Sequence, residues 1–186
     1  MFNLYDFDKT IYNGDSSVDF FLYSLLKKKS IIKYIPKIMF AFLRYKMKKI
    51  SKEEMKEVFF SFLKDIDDID SHIKLFWDNY YNKIKDWYLK GNHEHDIIIT
   101  ASPDFLINPI GKYLKVAEVI ATEVDKYNGK FLSKNCYGEE KVKRLYKNYA
   151  KIKINKAYSD SYSDMPMLKL AKNRYIVKKN KIKEII

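Results

Sequence analysis

The fold is decided near the start of the chain, by the stretch FNLYDFDKT at Phe2–Thr10. Its first part, Phe2–Phe7, is short and mostly apolar and runs into acidic residues, so we predict a buried β-strand. Asp6 and Asp8 stand at the end of that strand, and a loop with an Asn-Gly pair follows at residues 10–15. In open α/β sheets, ligands bind beyond the carboxyl ends of the strands, so these aspartates are the first candidates for a functional site.

Beyond residue 95 the sequence alternates between strand and helix patterns. The β-branched run Ile97–Thr100 predicts a second buried strand. Further strands are predicted at 116–122, 153–158 and 175–177, and helices at 104–114, 138–149 and 166–171. The Asn-Gly pair within Tyr127–Lys130 predicts a hairpin turn. This alternation is typical of an α/β protein, and we predict a three-layer α/β/α, Rossmann-like core with a mostly parallel sheet.

Residues 17–90 carry helical patterns instead. One apolar helix face is predicted from the spacing of Val18, Phe21, Leu22 and Leu25. A helix over 31–47 is expected to begin or kink at Pro36, because proline cannot occupy the interior of a straight helix. Ser51 and Glu54 form the pattern of a capping box, which opens a third helix.

A longer helix is predicted to carry the aromatic residues from Trp77 to Tyr88 and to end at Gly91. We therefore predict a core formed by residues 1–13 and 91–186. Residues 14–90, called the helical insertion below, are predicted to form an all-helical cap that enters the chain after the first strand.

The composition narrows the class of protein. The chain has 186 residues, of which 47% are hydrophobic, enough for a packed core, so disorder is excluded. The single cysteine, Cys136, excludes a disulfide scaffold. We see no signal peptide or spanning segment, since the start lacks a basic region and the most apolar stretch, 31–43, contains Lys33 and Lys37. A cytoplasmic location is expected.

The formal net charge of +12 comes almost entirely from lysine. Two explanations stay open, an AT-rich codon bias and attraction to an anionic partner. Lys27–Lys49 has nine basic residues and no acidic one, interleaved with apolar residues. This stretch fits a lysine-rich outer face of two cap helices, but it also fits weak binding to anionic lipid or nucleic acid, or a surface that steers an acidic phosphoester inward.

Polar side chains follow several predicted strands and should meet at one sheet edge. Asp6 and Asp8 follow the first strand, Thr100 ends the second, and Asp160 and Asp164 follow the strand at 153–158. Ionised aspartates in one cleft need a cation, and Mg²⁺ prefers oxygen ligands. A metal site with lysine and hydroxyl donors suits a phosphoryl group. One carboxylate could then act as nucleophile and another as general acid and base.

At these residues the sequence resembles the haloacid dehalogenase superfamily, in the branch that contains phosphoserine phosphatase. Asp6–Thr10 matches the family's first motif, DxDxT, and Ile97–Thr100 matches the second, an apolar strand that ends in Thr or Ser. Lys141 matches the third motif, and Ser159–Asp164 matches the fourth, with two aspartates four residues apart. The four motifs occur in the family's order, which makes the resemblance specific.

The resemblance implies a role for each matching residue. Asp6 is the implied nucleophile and Asp8 the implied general acid and base, an arrangement usual in the family's phosphatases. Thr100 is implied to bind the transferring phosphoryl group, and Lys141 to neutralise the charge on Asp6 and the phosphate. Ligation of Mg²⁺ is implied for Asp6, Asp8 (through its backbone carbonyl), Asp160 and Asp164.

Substrate contacts are less closely defined by the resemblance. Residues expected to bind phosphate or substrate are Thr10, Asp15, Arg44, Ala101, Ser102 and Ser161. Phosphoserine phosphatases usually have two glycines where this chain has Ala101 and Ser102. Asp15 stands where those enzymes place the glutamate that reads the substrate amine, and Arg44 is the one counterpart of their carboxylate-reading arginine. These departures argue against phosphoserine as the substrate.

We therefore predict a Mg²⁺-dependent phosphatase that hydrolyses a small phosphorylated metabolite through an aspartyl-phosphate on Asp6. Transfer of the phosphoryl group to an acceptor other than water is one alternative. A binding module for RNA or anionic membrane on the same fold is another, although nucleic acid is not expected to be obligatory. The sequence leaves the oligomeric state open.

Overall fold

The computed structural model describes residues 1–185. A single six-stranded sheet lies at its centre, and its strands are β1 (Phe2–Tyr5), β2 (Asp96–Pro103), β3 (Glu118–Thr122), β4 (Ile154–Ser159), β5 (Ala171–Lys178) and β6 (Lys181–Ile185). Their order across the sheet is β3-β2-β1-β4-β5-β6. Every neighbouring pair is parallel except β5 with β6. The predicted fold class, a mostly parallel α/β sheet, is confirmed.

Eight α-helices accompany this sheet in residues 1–185. They are α1 (Ser16–Lys27), α2 (Ile35–Lys46), α3 (Lys52–Phe60), α4 (Ile69–Tyr80), α5 (Asp86–Leu89), α6 (Asp104–Tyr113), α7 (Glu139–Asn148) and α8 (Met165–Leu168). Helix α2 has Pro36 in its first turn, and Ser51 and Glu54 form a complete capping box at the start of α3, as predicted. No helix in this part of the chain is long and apolar enough to span a membrane.

Helices cover both faces of the sheet because successive residues of a buried strand point to opposite faces. Leu4, Ile97 and Ile99 point to one face, where they pack in a cluster with Leu145 of α7 and Leu168 of α8. The side chains of Tyr5, Ile98 and Tyr158 point to the other face and join a cluster supplied by α6 and by the helical insertion. This arrangement gives the three layers of the predicted core.

The second half of the helical insertion packs directly on the sheet layer. The Trp77 indole nitrogen on α4 donates a 2.8 Å hydrogen bond to the Leu106 carbonyl on α6. The rings of Phe7 and Trp77 meet edge to face at 5.9 Å, and those of Tyr5 and Tyr88 at 5.0 Å. Helices α4 and α5 therefore share the core's apolar cluster, and the boundary of the cap at 14–90 stays a prediction.

The single long helix predicted through Trp77 and Tyr88 is wrong, because the chain leaves helical geometry at Ile84. The Asn13 amide donates to the Lys83 carbonyl at 2.8 Å, and the Lys85 amide donates to the Ile11 carbonyl at 2.9 Å. These bonds satisfy backbone groups against the loop that follows β1, outside any helix. The break consequently ties the end of the insertion to the segment that carries the aspartates.

The predicted apolar face of α1 is also wrong in part. Val18 and Leu22 are exposed, whereas Phe20 and Tyr23 are buried. Phe20 packs edge to face on Phe76 of α4 at 5.2 Å, so the aromatic residues set the rotation of the helix. Val18 is thereby left on the side of α1 that faces the sheet's carboxyl edge, where it lines a cavity.

The observed bounds of strands β1 and β5 differ from the predicted ones. Strand β1 ends at Tyr5, before the predicted Phe7, and β5 begins at Ala171, which pairs with Ile154. Strand β6 was not predicted. Its residues are mostly exposed on both faces at the edge of the sheet, so they lack the alternating pattern by which a half-buried strand is recognised.

Candidate active site

The carboxyl ends of β1, β2 and β4 border one cavity of about 630 Å³. The strands are parallel and adjacent, so the residues that follow them meet at the same edge. The predicted site residues that line the cavity are Asp6, Asp8, Asp15, Thr100, Ala101, Ser102, Lys141, Asp160, Ser161 and Asp164. Thr10 and Arg44 do not line it. The helical insertion closes the opposite side with residues of α2 and α3.

Lys141 lies between two carboxylates at the bottom of the cavity. Its ammonium is 2.7 Å from Asp6 Oδ1 and 2.8 Å from Asp164 Oδ2, and its side chain is only 2% exposed. Burial alone lowers the pKa of Lys141, but the charges of Asp6 and Asp164 outweigh it and hold the pKa above its usual value. Lys141 is therefore a permanent cation, and it fixes the position of the Asp6 carboxylate.

The second oxygen of Asp6, Oδ2, contacts only Thr10 in residues 1–185, and more loosely than Oδ1 contacts Lys141. Thr10 Oγ1 is buried and lies 3.5 Å from Asp6 Oδ2, so Thr10 supports this carboxylate from behind and does not face the cavity. Burial raises the pKa of Asp6, with Lys141 opposing the shift and the charge of Asp164 adding to it. A carboxylate held on one oxygen by a lysine, with little water around it, is suited to attack an electrophile.

Asp8 is held by different partners from those of Asp6. The Ser16 amide, in the first turn of α1, donates to Asp8 Oδ1 at 2.7 Å, and the Ser102 hydroxyl donates to Asp8 Oδ2 at 2.5 Å. Burial and the nearby charge of Asp15 raise the pKa of Asp8 to about 6, although these hydrogen bonds oppose the rise. A carboxyl group whose pKa lies this close to neutrality can both give and take a proton.

Thr100, Ala101 and Ser102 lie in the last part of β2, where the register of its pairing with β3 shifts. Thr100 Oγ1 accepts a 3.1 Å hydrogen bond from the Ser102 amide and is almost fully buried. The Ala101 carbonyl accepts from Lys56 Nζ at 2.8 Å and from Thr122 Oγ1 at 3.1 Å. These two donors fix the Ala101 carbonyl, in a segment that lines the same cavity as Asp6 and Asp8.

The residues at this edge fit a hard divalent cation. Asp164 Oδ1 is buried and has no hydrogen-bond partner in residues 1–185, which suggests a ligand that the polypeptide does not supply. Asp6 and Asp160 line the same cavity. In residues 1–185, no group of three or more His, Cys, Asp or Glu side chains is arranged to hold a metal ion. A site of one or two carboxylates still suits Mg²⁺, because this ion completes its shell with backbone oxygen and water.

Lys56 was missed by the sequence analysis. It reaches the cavity from α3, and besides the Ala101 carbonyl it contacts Asn135 Oδ1 at 3.0 Å. Burial, together with the charge of Lys52, lowers the pKa of Lys56 to about 8. The signal in the sequence was the i, i+4 spacing of Lys52 and Lys56, which places both on one helix face.

Arg44 does not reach the cavity, contrary to the prediction that it binds substrate. It lies exposed on α2 with its guanidinium 6.0 Å from the centre of the Phe40 ring. Asp15 accepts a 3.1 Å hydrogen bond from the Val18 amide and so caps α1 while it lines the cavity. Of the two residues predicted to read substrate groups, only Asp15 is at the site.

The titration of Lys56 should be visible in stability. Its pKa in the folded protein, about 8, lies below the 10.5 of a solvated lysine. Between these pH values the unfolded chain binds a proton that the folded protein has lost, so the free energy of unfolding rises with pH. From pH 8 to 10, urea denaturation should show wild type gaining about 2 kcal/mol relative to Lys56→Met. Exposed Lys64 supplies the control, Lys64→Met, and an equal pH dependence in all three proteins would contradict the assignment.

The wall of the cavity opposite the aspartates is apolar. It is formed by Ile38, Met39 and Phe42 from α2 and by Met55 and Phe59 from α3. The cavity thus has a charged end at the sheet and an apolar end in the helical insertion. A ligand with one anionic group and one apolar part would match both ends.

Residues 4–169 match the family model of haloacid dehalogenase-like hydrolases. The chain belongs to this family. The match spans all four motifs and confirms the resemblance found at Asp6–Thr10, Ile97–Thr100, Lys141 and Ser159–Asp164. None of the curated proteins matches the sequence of this haloacid dehalogenase-like hydrolase.

Solved structures share its fold. A protein of unknown function from Bordetella pertussis Tohama I has a TM-score of 0.75 and 19% identity, over 93% of this chain and 87% of that one. A phosphoserine phosphohydrolase-like protein from Francisella tularensis has a TM-score of 0.56 and 18% identity, over 93% and 85%. Substrate-bound phosphoserine phosphatase gives 0.52 and 16%, over 93% and 83%. At these identities the likeness establishes the fold of the hydrolase.

Proposed function

We propose that this hydrolase is a phosphatase that acts on a phosphomonoester through a covalent aspartyl-phosphate on Asp6. The observation that carries the proposal is the ion pair of Asp6 with Lys141 at the charged end of one cavity, which Asp8 and Thr100 also line. The family and its phosphatase-like structural neighbours support the same reaction class.

The first step uses the two aspartates in different protonation states. A carboxylate oxygen of Asp6 attacks phosphorus and forms a new P–O bond, while the ester P–O bond breaks. Asp8, as a carboxylic acid, donates its proton to the leaving oxygen and releases an alcohol. Lys141 stabilises the negative charge throughout, and the Thr100 hydroxyl and the Ala101 amide can bind the phosphoryl oxygens.

The second step restores the enzyme. Asp8, now a carboxylate, takes a proton from a water molecule, whose oxygen attacks phosphorus as the bond to Asp6 breaks. Inorganic phosphate leaves, Asp6 is again a carboxylate and Asp8 again an acid. Asp6, Asp160 and the Asp8 carbonyl would hold Mg²⁺, and Asp164 would support these ligands. The bound ion would neutralise part of the charge of the phosphate.

Three further statements belong to this proposal. The helical insertion, residues 14–90, acts as the cap that excludes water from the cavity. The substrate is a small phosphorylated compound, the protein is located in the cytoplasm, and nucleic acid is not required. Water is the proposed acceptor of the phosphoryl group, and the addition of glycerol described below distinguishes hydrolysis from transfer.

The test is acid quenching of the enzyme during turnover of phosphorus-labelled phenyl phosphate. With Mg²⁺ we expect label on a peptide that contains Asp6, release of the label by hydroxylamine, and inorganic phosphate as product. EDTA should abolish both label and product. Turnover that continues unchanged in EDTA, or label on a residue other than Asp6, would contradict the proposal. Adding glycerol separates transfer from hydrolysis, since a transferase would form glycerol phosphate.

A further inference from the structure

Helix α2 carries an apolar stripe that faces away from the protein. It consists of Met39, Phe40 and Leu43 on the helix and of Met47 directly after it, and these residues are between 52% and 66% exposed. At 100° per residue these four positions fall within a sector of about 100°, so they lie on one side of the helix. On the opposite side, Ala41 is buried and Ile38 packs against the core cluster. This set of four residues is called the α2 stripe below.

Basic residues flank the α2 stripe on both sides. At 100° per residue, Lys37 and Arg44 lie along one border and Lys46 along the other. Residues 1–185 place no carboxylate within salt-bridge distance of these three cations, whereas Lys28 and Lys33 in the same stretch pair with Asp67 and Asp65. An exposed apolar stripe between unpaired cations is the pattern of a helix that lies in the interface of an anionic membrane.

The stripe is continuous with the apolar end of the cavity. Met39 belongs to both, since it is exposed in the stripe and also lines the cavity. Phe42 and Ile38, on the next positions around the helix, continue the apolar surface inward towards α3. An apolar chain could therefore lie along α2 with one end outside the protein and the other near Asp6.

Two other occupants of the stripe fit its chemistry less well. A second copy, docked about a two-fold axis, would bring the same cations against one another without intervening acids. RNA would find the cations but gain little from Met39, Leu43 and Met47, which offer no aromatic plane for base stacking. An anionic bilayer matches both the cations and the aliphatic side chains.

We propose that the α2 stripe lies on an anionic lipid bilayer and that the substrate, taken from it, is a phosphomonoester whose leaving alcohol carries an apolar chain. The inference rests on the proposed function and names its substrate class. The phosphate is bound at Asp6 and Lys141, and the chain follows Ile38 and Phe42 towards Met39. Such a substrate needs no carboxylate group, and Arg44, the residue predicted to bind one, does not line the cavity.

Docking is tested by sedimentation with vesicles, which needs no catalysis. Wild type should sediment with 3:1 phosphatidylcholine–phosphatidylglycerol vesicles at about 0.1 M salt and much less with phosphatidylcholine alone. Phe40→Ser/Leu43→Ser should weaken the partition about tenfold or more, because neither residue lines the cavity but both would enter the lipid. Leu132→Ser changes an exposed leucine in a loop away from α2, so this variant is the matched control and should behave as wild type.

Three outcomes would overturn the docking. One is partition that is equal for the double variant and Leu132→Ser. Another is a dimeric wild type that becomes monomeric in the double variant, which would make the stripe a contact between copies. The third is a wild-type protein that does not bind the vesicles but binds single-stranded RNA, when the double variant does not bind that RNA.

The substrate class is tested with ethyl, octyl and dodecyl phosphate, the last two presented in the same vesicles. We expect kcat/KM to rise at least about tenfold from ethyl to dodecyl, since each buried methylene favours binding. Phenyl phosphate turnover should be equal in wild type and in Phe40→Ser/Leu43→Ser. Hydrolysis without any chain preference would overturn the substrate class. Vesicle binding without hydrolysis of any ester would instead refute the proposed function and leave the docking standing.

Discussion

Asp6→Asn should lower phenyl phosphate hydrolysis by about four orders of magnitude or more, because an amide cannot form the acyl phosphate that the mechanism requires. The variant should remain folded. Asparagine keeps the shape of aspartate, and Lys141 retains its 2.8 Å contact with Asp164. Steady-state turnover with Mg²⁺ and urea denaturation would measure the two effects separately, and we expect the free energy of unfolding to change by less than about 2 kcal/mol.

Two other variants make this result specific. Asp67→Asn changes an exposed aspartate outside the cavity and should turn over as wild type. Asp8→Asn should slow turnover by about two to four orders of magnitude but still allow Asp6 to be labelled by an aryl ester, whose leaving group departs without a proton. Label would then accumulate, because no base activates the water. If Asp6→Asn kept more than a hundredth of the wild-type rate, Asp6 would not be the nucleophile.

The polar residues of the site could be predicted because their signals are local. Asp6 directly follows β1 and Thr100 lies near the carboxyl end of β2, and in a parallel sheet those ends meet whatever the loops do. The same argument placed Asp160 and Asp164 after β4. The sheet order itself was not needed. Short apolar runs followed by acids or hydroxyls were enough to predict that the candidate catalytic residues meet at one edge of the sheet.

The apolar end of the cavity could not be predicted, because it depends on how helices rotate and where they stop. Arg44 and Lys56 are both basic residues on insertion helices, and the sequence alone does not show which one faces inward. Packing of aromatic residues turned α1 so that Val18 faced the cavity. The predicted helix is broken at Ile84 because the backbone groups of its neighbours, Lys83 and Lys85, are hydrogen-bonded to the loop that follows β1. Each outcome was decided by tertiary contacts that override local propensity.

Lys141→Met should be the most destabilising of these single substitutions. It removes the cation that lies within 2.8 Å of both Asp6 and Asp164 and whose side chain is only 2% exposed. Removing one partner of a buried ion pair costs about 3–5 kcal/mol, because the charge left behind has lost its solvent. We expect the midpoint of thermal unfolding to fall by about 10 °C or more. Hydrolysis should fall by about two to three orders of magnitude.

The cause of that destabilisation can be separated from the loss of packing. Lys143→Met, two residues along α7 and exposed, controls for the exchange of lysine for methionine. In the Lys141→Met background, Asp164→Asn removes one of the two stranded charges and should recover about 1–2 kcal/mol of the free energy of unfolding. It should recover no hydrolysis, because Asp6 still lacks its cation. If the second substitution destabilised the variant further, the loss would come from a cavity and not from charge, and Lys141 would contribute to stability chiefly by filling space.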